Sequence, residues 1–155
     1  MPPAEGGGME IKMLKGFEDN FVDAQASVIS LGLELLSNSG KEAEKIFIYL
    51  YRNDEMDYVN FFFEKKGKLY TRDDWFSPEE IRDFFYCAKD DLDNITNVCK
   101  AYGVKCPYEF RLIYNVLTKE FDSKYNYEDV VTKGNKNIFD LFEEWFDECN
   151  EEIKK

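Results

Sequence analysis

The segment KIFIYLYR, residues 45–52, decides the fold expected for this chain. Side chains alternate between the two faces of a strand, so this segment places aliphatic residues on one face and aromatic residues on the other. The aliphatic face holds Ile46, Ile48 and Leu50, and the aromatic face holds Phe47, Tyr49 and Tyr51. Aromatic residues in strands usually belong to a core, and the alternative is an exposed aromatic binding surface. The segment therefore predicts a strand that is apolar on both faces.

Turn residues and further aromatic runs predict that this strand belongs to a hairpin. The polar connection of residues 53–57 leads to YVNFFFE, residues 58–64, which is typical of a returning strand. Lys66-Gly67-Lys68 then predicts a turn, and residues 69–71 are a candidate for a short third strand. A second hairpin is predicted from EFRLIYNVL at 109–117 and FDSKYNYE at 121–128.

Three helices are predicted where apolar residues recur at spacings of three and four. They run from Phe17 to the stop at residues 37–40, from Ser77 to Gly103, and from Asn137 to Ile153. The second helix has the sharpest start, because Ser77 is a suitable N-cap, Pro78 suits the first helical position and Glu80 completes a capping box.

Together these elements predict one α+β domain. Their order is α-β-β-(β)-α-β-β-α, in which an antiparallel sheet of four to five strands, made of two hairpins, packs with three helices. The length of 155 residues suits a single domain. We expect the Gly/Pro-rich residues 1–10 to be a flexible leader, with Met1 or Met9 as the native start, and residues 11–155 to form the domain.

The charge of the chain restricts its partners. The sequence has 32 acidic and 20 basic residues, for a formal net charge of −12. Binding to nucleic acid depends mainly on Lys and Arg, and anionic membranes attract the same residues, so neither partner is expected. Solubility needs a net charge of only about 2–8 in magnitude. The excess of negative charge therefore favours a basic protein partner.

The composition also argues against several kinds of enzyme. The chain contains no histidine, which excludes Ser-His-Asp and Cys-His catalysis and zinc sites built on histidine. Its four cysteines form no CxxC pair and are expected to be free, buried and apolar in role. We expect no metal and no cofactor. The start of the chain has no signal-peptide pattern, so a cytoplasmic location is expected.

Acidic clusters in three places are the candidate binding residues. Asp54, Glu55 and Asp57 occupy the first hairpin connection, Asp73 and Asp74 precede a helix, and Asp90 and Asp93 lie on the outer face of the second helix. The expected aromatic anchors beside them are Trp75 and Tyr86. Calcium binding is disfavoured, because these clusters lack the glycine and terminal glutamate of an EF-hand loop. The plainest alternative is a solvated surface without a specific role.

Four stretches of strand sequence resemble the YezG-like immunity proteins, which are antitoxins of bacterial polymorphic toxin systems. They are KIFIYLYR at 45–52, FFFEKKGKLY at 61–70, PYEFRLIYNVL at 107–117 and FDSKYNYEDV at 121–130. The sequence departs from the family at Pro107-Tyr108, where the family often carries Pro-Trp. The resemblance implies a cytoplasmic protein without catalytic residues that neutralises a toxin, often a nuclease. The contact residues of the family vary, so the resemblance assigns none.

The charge and the resemblance lead to the same expectation. The chain is predicted to be a non-enzymatic immunity protein that binds a basic toxin domain through its acidic clusters. One alternative is an acidic interaction or regulatory module unrelated to toxins. A weaker alternative is a carboxylate-based hydrolase, which requires two acids that converge in a pocket with apolar walls. The sequence does not indicate an oligomeric state.

Overall fold

A five-stranded antiparallel sheet forms the middle of the molecule, and helices pack against both of its faces. The computed structural model describes residues 3–155, with side chains described from Gly16 onward. The elements in chain order are α1 (Pro3–Asn38), β1 (Lys45–Arg52), β2 (Asp57–Lys65), β3 (Lys68–Thr71), α2 (Arg72–Trp75), α3 (Pro78–Ala101), β4 (Glu109–Asn115), β5 (Phe121–Asn126) and α4 (Ile138–Lys154). The order of strands in the sheet is β3-β2-β1-β4-β5. The predicted α+β class and the two antiparallel hairpins are confirmed.

The central strand β1 is buried on both faces, and the alternation predicted from KIFIYLYR is confirmed. Its aliphatic side chains join a core with α1 and α3, and its aromatic side chains join a second core with α4. The interpretation of Phe47, Tyr49 and Tyr51 as an exposed binding surface is wrong, because each of them is at most 4% exposed. The amphipathic helix α4 covers them with an apolar face that includes Leu141 and Trp145.

Local sequence signals set the limits of the helices. Ser77 and Glu80 form the predicted capping box, in which the Ser77 side chain accepts a hydrogen bond of 3.2 Å from the Glu80 amide. Gly103, with φ +64°, follows the end of α3 in the left-handed conformation that glycine adopts without strain. The single-turn helix α2 was not predicted, and Thr71 and Asp74 start it with a second capping box.

Cys87 was expected to be buried but is exposed, because it lies on the flank of α3 that lines an open groove beside α1. The flexible leader at residues 1–10 stays a prediction; α1 begins at Pro3, residues 1 and 2 are outside the described part of the chain, and side chains are described only from Gly16. Over the described residues, none of the helices combines the length and the hydropathy that a membrane span needs.

Candidate partner-binding surface

The tip of the β1–β2 hairpin presents two of the predicted acidic residues to solvent. The Asn53 side-chain oxygen accepts hydrogen bonds from the amides of Glu55, at 2.9 Å, and Met56, at 2.8 Å. Asparagine favours such turns because its short side chain reaches the amides that follow it. Asp54 and Glu55 are exposed on the turn that results. Their carboxylates are therefore held on an ordered loop rather than on a free one.

Arg52 joins two further predicted residues that are distant in sequence. It stands opposite Asp57 in the β1–β2 pairing, and its Nε donates to the Asp57 carboxylate. A terminal nitrogen of the same guanidinium donates to Asp93 on α3, and the other donates to the Thr96 hydroxyl at 3.0 Å. The planar guanidinium carries donors on three separate nitrogens and so reaches acceptors that lie apart, whereas the donors of lysine all sit on one nitrogen. Arg52 thus fixes the strand ends next to the hairpin tip to α3.

The ionisation of this cluster follows from its geometry. Burial acts to lower the pKa of Arg52, but its hydrogen bonds to Asp57 and Asp93 outweigh burial and raise it. The hydrogen bond from Arg52 lowers the pKa of Asp57 and overcomes the opposite effect of burial. Asp57 is therefore ionised at neutral pH, and Arg52 offsets part of its charge. Asp57 therefore contributes to the fold through Arg52.

The outer face of α3 carries the remaining predicted residues on this side of the sheet. Tyr86 is 70% exposed, which is high for a large aromatic side chain, and Asp90 is exposed one turn further along. Lys89 lies beside them, with its Nζ 4.0 Å from a carboxylate oxygen of Asp57. This contact places the Asp57 end of the hairpin next to the middle of α3.

The structure brings six of the predicted residues to one region, which we name the hairpin–α3 surface. It is defined by Asp54, Glu55, Asp57, Tyr86, Asp90 and Asp93. The hairpin tip supplies the first two, the start of β2 supplies the third, and α3 supplies the others. Asp57 and Asp93 meet through Arg52, and Asp57 lies within 4.0 Å of Lys89, the neighbour of Asp90.

The other three predicted residues, Asp73, Asp74 and Trp75, lie together on α2 and have different surroundings. Asp74 accepts hydrogen bonds from the Thr71 amide, at 2.8 Å, and the Thr71 hydroxyl, at 3.1 Å, so its carboxylate caps the helix. Trp75 is partly buried and stacks on Tyr70, with 4.6 Å between ring centroids. Asp73 is exposed, with its side chain 79% accessible. Asp74 and Trp75 therefore contribute to the fold, and Asp73 is the exposed member of the group.

A cleft of about 440 Å³ opens beside the hairpin–α3 surface. It is lined by the end of α3, the loop that follows it and the tip of the β1–β2 hairpin, including Arg52, Asp54, Cys99 and Tyr108. Asp54 is the one carboxylate that the described residues contribute to its lining, whereas acid–base hydrolysis of a glycosidic bond uses two. Burial, followed by the neighbouring Cys106 thiol, raises the pKa of Cys99 to about 12, so this thiol stays protonated at neutral pH.

Sequence reasoning missed the residues that organise this surface. Asn53 not only orders the hairpin tip but also donates from its side chain to Asp129 and Thr132, each at 3.3 Å. Asp129 is buried in the connection between β5 and α4. Burial acts to raise its pKa, but hydrogen bonds from Tyr51, Asn53 and Thr132 lower it. The only signal in the sequence was the position of Asn53 directly after a predicted strand. That position indicates a turn, but it does not indicate which distant residues Asn53 contacts.

Neither the arrangement of possible metal ligands nor the comparisons with known proteins assigns a role to this surface. Among the side chains from Gly16 to Lys155, no group of three or more cysteines or carboxylates is arranged to hold a metal ion. The chain matches no protein-family model, and no curated protein sequence shows significant similarity to it.

Proposed function

We propose that this chain is a non-enzymatic immunity protein that acts in the cytoplasm and neutralises a basic toxin domain with nuclease activity. One observation carries the proposal. The carboxylates of Asp54, Glu55 and Asp90 are exposed, form no ion pair with any described residue, and share a surface with the 70% exposed Tyr86. A positively charged partner would supply the missing counter-charges.

Physical principles connect this surface to tight binding. An exposed tyrosine surrounded by charged residues has the composition of an interface anchor, because tyrosine buries a large area at little entropic cost. The acidic residues around it attract a basic partner over long distances and raise the association rate. A nuclease needs basic residues where it holds phosphate, and an acidic inhibitor competes for that site. The resemblance of the strands to the YezG-like immunity proteins supports the same class of partner.

A second candidate uses the same surface. An acidic regulatory module would also bind a basic protein there, without any toxin being involved. The identity of the partner distinguishes the two candidates, whereas the chemistry of the surface does not.

The decisive experiment combines capture of the partner with rescue of growth. The full chain serves as bait in an extract of its native host, and the captured protein is then expressed with and without the chain in a test host. We expect a captured basic protein that stops growth alone and is tolerated when the chain is present. Capture of a basic protein that is harmless when expressed alone would favour the regulatory module instead.

Two charge-reversal variants test the position of the surface. The double variant Asp54→Lys/Glu55→Lys alters the hairpin tip, and Glu143→Lys/Glu144→Lys makes the same change of charge on exposed positions of α4. Because α4 packs on the face of the sheet opposite α3, the α4 variant tests the effect of the changed net charge alone. We expect the first variant to lose capture and rescue and the second to keep both. Equal behaviour of the two variants would place the interface elsewhere.

A further inference from the structure

A second candidate binding site lies at the opposite end of the sheet from the hairpin–α3 surface. β1 runs from Lys45 to Arg52, and the hairpin–α3 surface lies at the Arg52 end. At the Lys45 end, an open groove of about 490 Å³ lies between the end of α1 and the turn that joins β4 to β5. We name it the Leu117 groove; its apolar wall contains Leu33, Leu36, Val116 and Leu117. Its volume falls within the usual range for ligand-binding pockets.

The walls of the Leu117 groove are held in place before anything binds. At the end of α1, the Lys41 amide donates to the Leu36 carbonyl at 2.9 Å across Gly40, which has φ +66°. In the opposite wall, the Asn115 side-chain oxygen accepts hydrogen bonds of 3.0 Å from the amides of Leu117 and Thr118. Helix caps and side-chain-bonded turns of this kind fix the backbone. Binding therefore requires little ordering of the groove.

Leu117 is the most exposed large apolar residue among the described side chains. It is 74% exposed. The turn that carries it is held by the Asn115 side chain, so the conformation of the turn does not require a leucine at this position. Single exposed leucines are common and need no explanation. This one extends an apolar wall that already includes the half-buried Leu33 and Val116, so it enlarges a continuous apolar site.

The charge around the groove is opposite to that of the rest of the molecule. Its lining has three lysines, Lys41, Lys65 and Lys66, against two glutamates, on a chain with a net charge of −12. Within the described part of the chain, none of these lysines is in an ion pair. Lys65 also stands opposite Lys68 in the β2–β3 pairing, and like charges placed opposite each other destabilise a sheet. An anionic group bound beside them would relieve that repulsion.

We propose that the Leu117 groove binds a peptide segment of a protein partner in which apolar side chains adjoin carboxylates. The apolar wall takes the apolar side chains, and the lysines pair with the neighbouring carboxylates. This chemistry is the reverse of that proposed for the hairpin–α3 surface, which favours a basic partner. The two surfaces are therefore separate sites, and the groove does not depend on the proposed antitoxin function.

Nuclear magnetic resonance (NMR) titration of the full chain with three short synthetic peptides tests this proposal. The first peptide has two leucines flanked by glutamates, the second has the same leucines flanked by lysines, and the third has serines in place of the leucines. We expect the first peptide alone to shift the amide signals of Lys65, Lys66, Val116 and Leu117 in a saturable manner. Equal binding of the lysine peptide, or shifts confined to other regions, would overturn the proposal.

Matched variants test whether the peptide binds in the Leu117 groove rather than elsewhere on the chain. Lys66→Glu should weaken binding of the glutamate peptide by about tenfold, whereas Lys124→Glu, which makes the same charge change at an exposed position of β5, should leave it unchanged. Leu117→Ser should weaken it as well, and its exposure means that the variant should still fold. If dilution of the peptide-free chain shifted the same amides, the groove would bind a second copy of this chain, and the proposal would be wrong.

Discussion

The hydroxyl of Tyr51 donates a hydrogen bond of 2.6 Å to the carboxylate of Asp129, which lies 78 residues later in the sequence. Tyr51 is fully buried in the central strand, and Asp129 belongs to the connection that leads from β5 to α4. The same hydroxyl accepts a hydrogen bond of 3.2 Å from the Val131 amide. Two hydrogen bonds of one hydroxyl, one donated and one accepted, therefore hold this connection against the sheet.

Replacement of Tyr51 by phenylalanine should destabilise the fold. The variant keeps the ring but removes both hydrogen bonds, and it leaves the Asp129 carboxylate and the Val131 amide without this partner. The expected loss is about 1–3 kcal/mol in the free energy of unfolding, because the buried Asp129 carboxylate loses one of its hydrogen bonds and the Val131 amide loses its acceptor. Urea unfolding at neutral pH measures it. Tyr114→Phe is the matched control, since the Tyr114 hydroxyl makes no hydrogen bond to a described side chain, and it should change stability far less.

The stability of the fold should depend on pH through Asp129. Its pKa is lowered in the folded state, so the ionised carboxylate stabilises the fold above the ordinary pKa of aspartate, about 3.9. That contribution is lost as the pH falls through the lowered value. The variant Asp129→Asn has no such group to protonate. The difference in free energy of unfolding between the two chains should therefore be greatest near neutral pH and shrink in acid. A constant difference over this range would contradict the role assigned to the Asp129 charge.

The fold could be predicted largely from local patterns. The alternation of aliphatic and aromatic residues in KIFIYLYR indicates a strand with two apolar faces, and a strand of that kind needs a covering layer on each side. The apolar faces of the predicted helices supply those layers. The position of β1 between β2 and β4 did not follow from the sequence, since periodicity within one segment does not indicate which distant strand pairs with it.

The surface was predictable only in part, for a related reason. Exposed acidic residues could be located from the faces of predicted helices and from turns. The role of Arg52 could not, because its partners Asp93 and Thr96 are more than 40 residues away and meet it only in the folded chain. Asp74 was assigned to binding because it is acidic, although its spacing from Thr71 is that of a capping box, which indicates a structural role.

Arg52→Lys should weaken the attachment of the hairpin to α3. Lysine keeps the charge but cannot reach Asp57, Asp93 and Thr96 together, so we expect a loss of about 1–2 kcal/mol in the free energy of unfolding. The pKa of Asp57 should also rise toward its ordinary value, because the hydrogen bond that lowers it is weakened. Urea unfolding and NMR titration of the carboxyl carbon measure the two effects. Arg82→Lys, at an exposed position of α3, should produce neither effect.

Trp145→Ala should be among the most destabilising single changes in α4. The indole is only 4% exposed and contacts the rings of Phe47, Tyr49 and Phe62, with centroid distances of 5.1–6.0 Å. Removing a large buried aromatic side chain leaves a cavity and costs about 3–5 kcal/mol. Phe139→Ala is the control on the same helix, because Phe139 is 61% exposed and should lose no more than about 0.5–1.5 kcal/mol from its contact with Tyr58. If urea unfolding gave equal losses for the two variants, α4 would not be the layer that covers the aromatic face of β1.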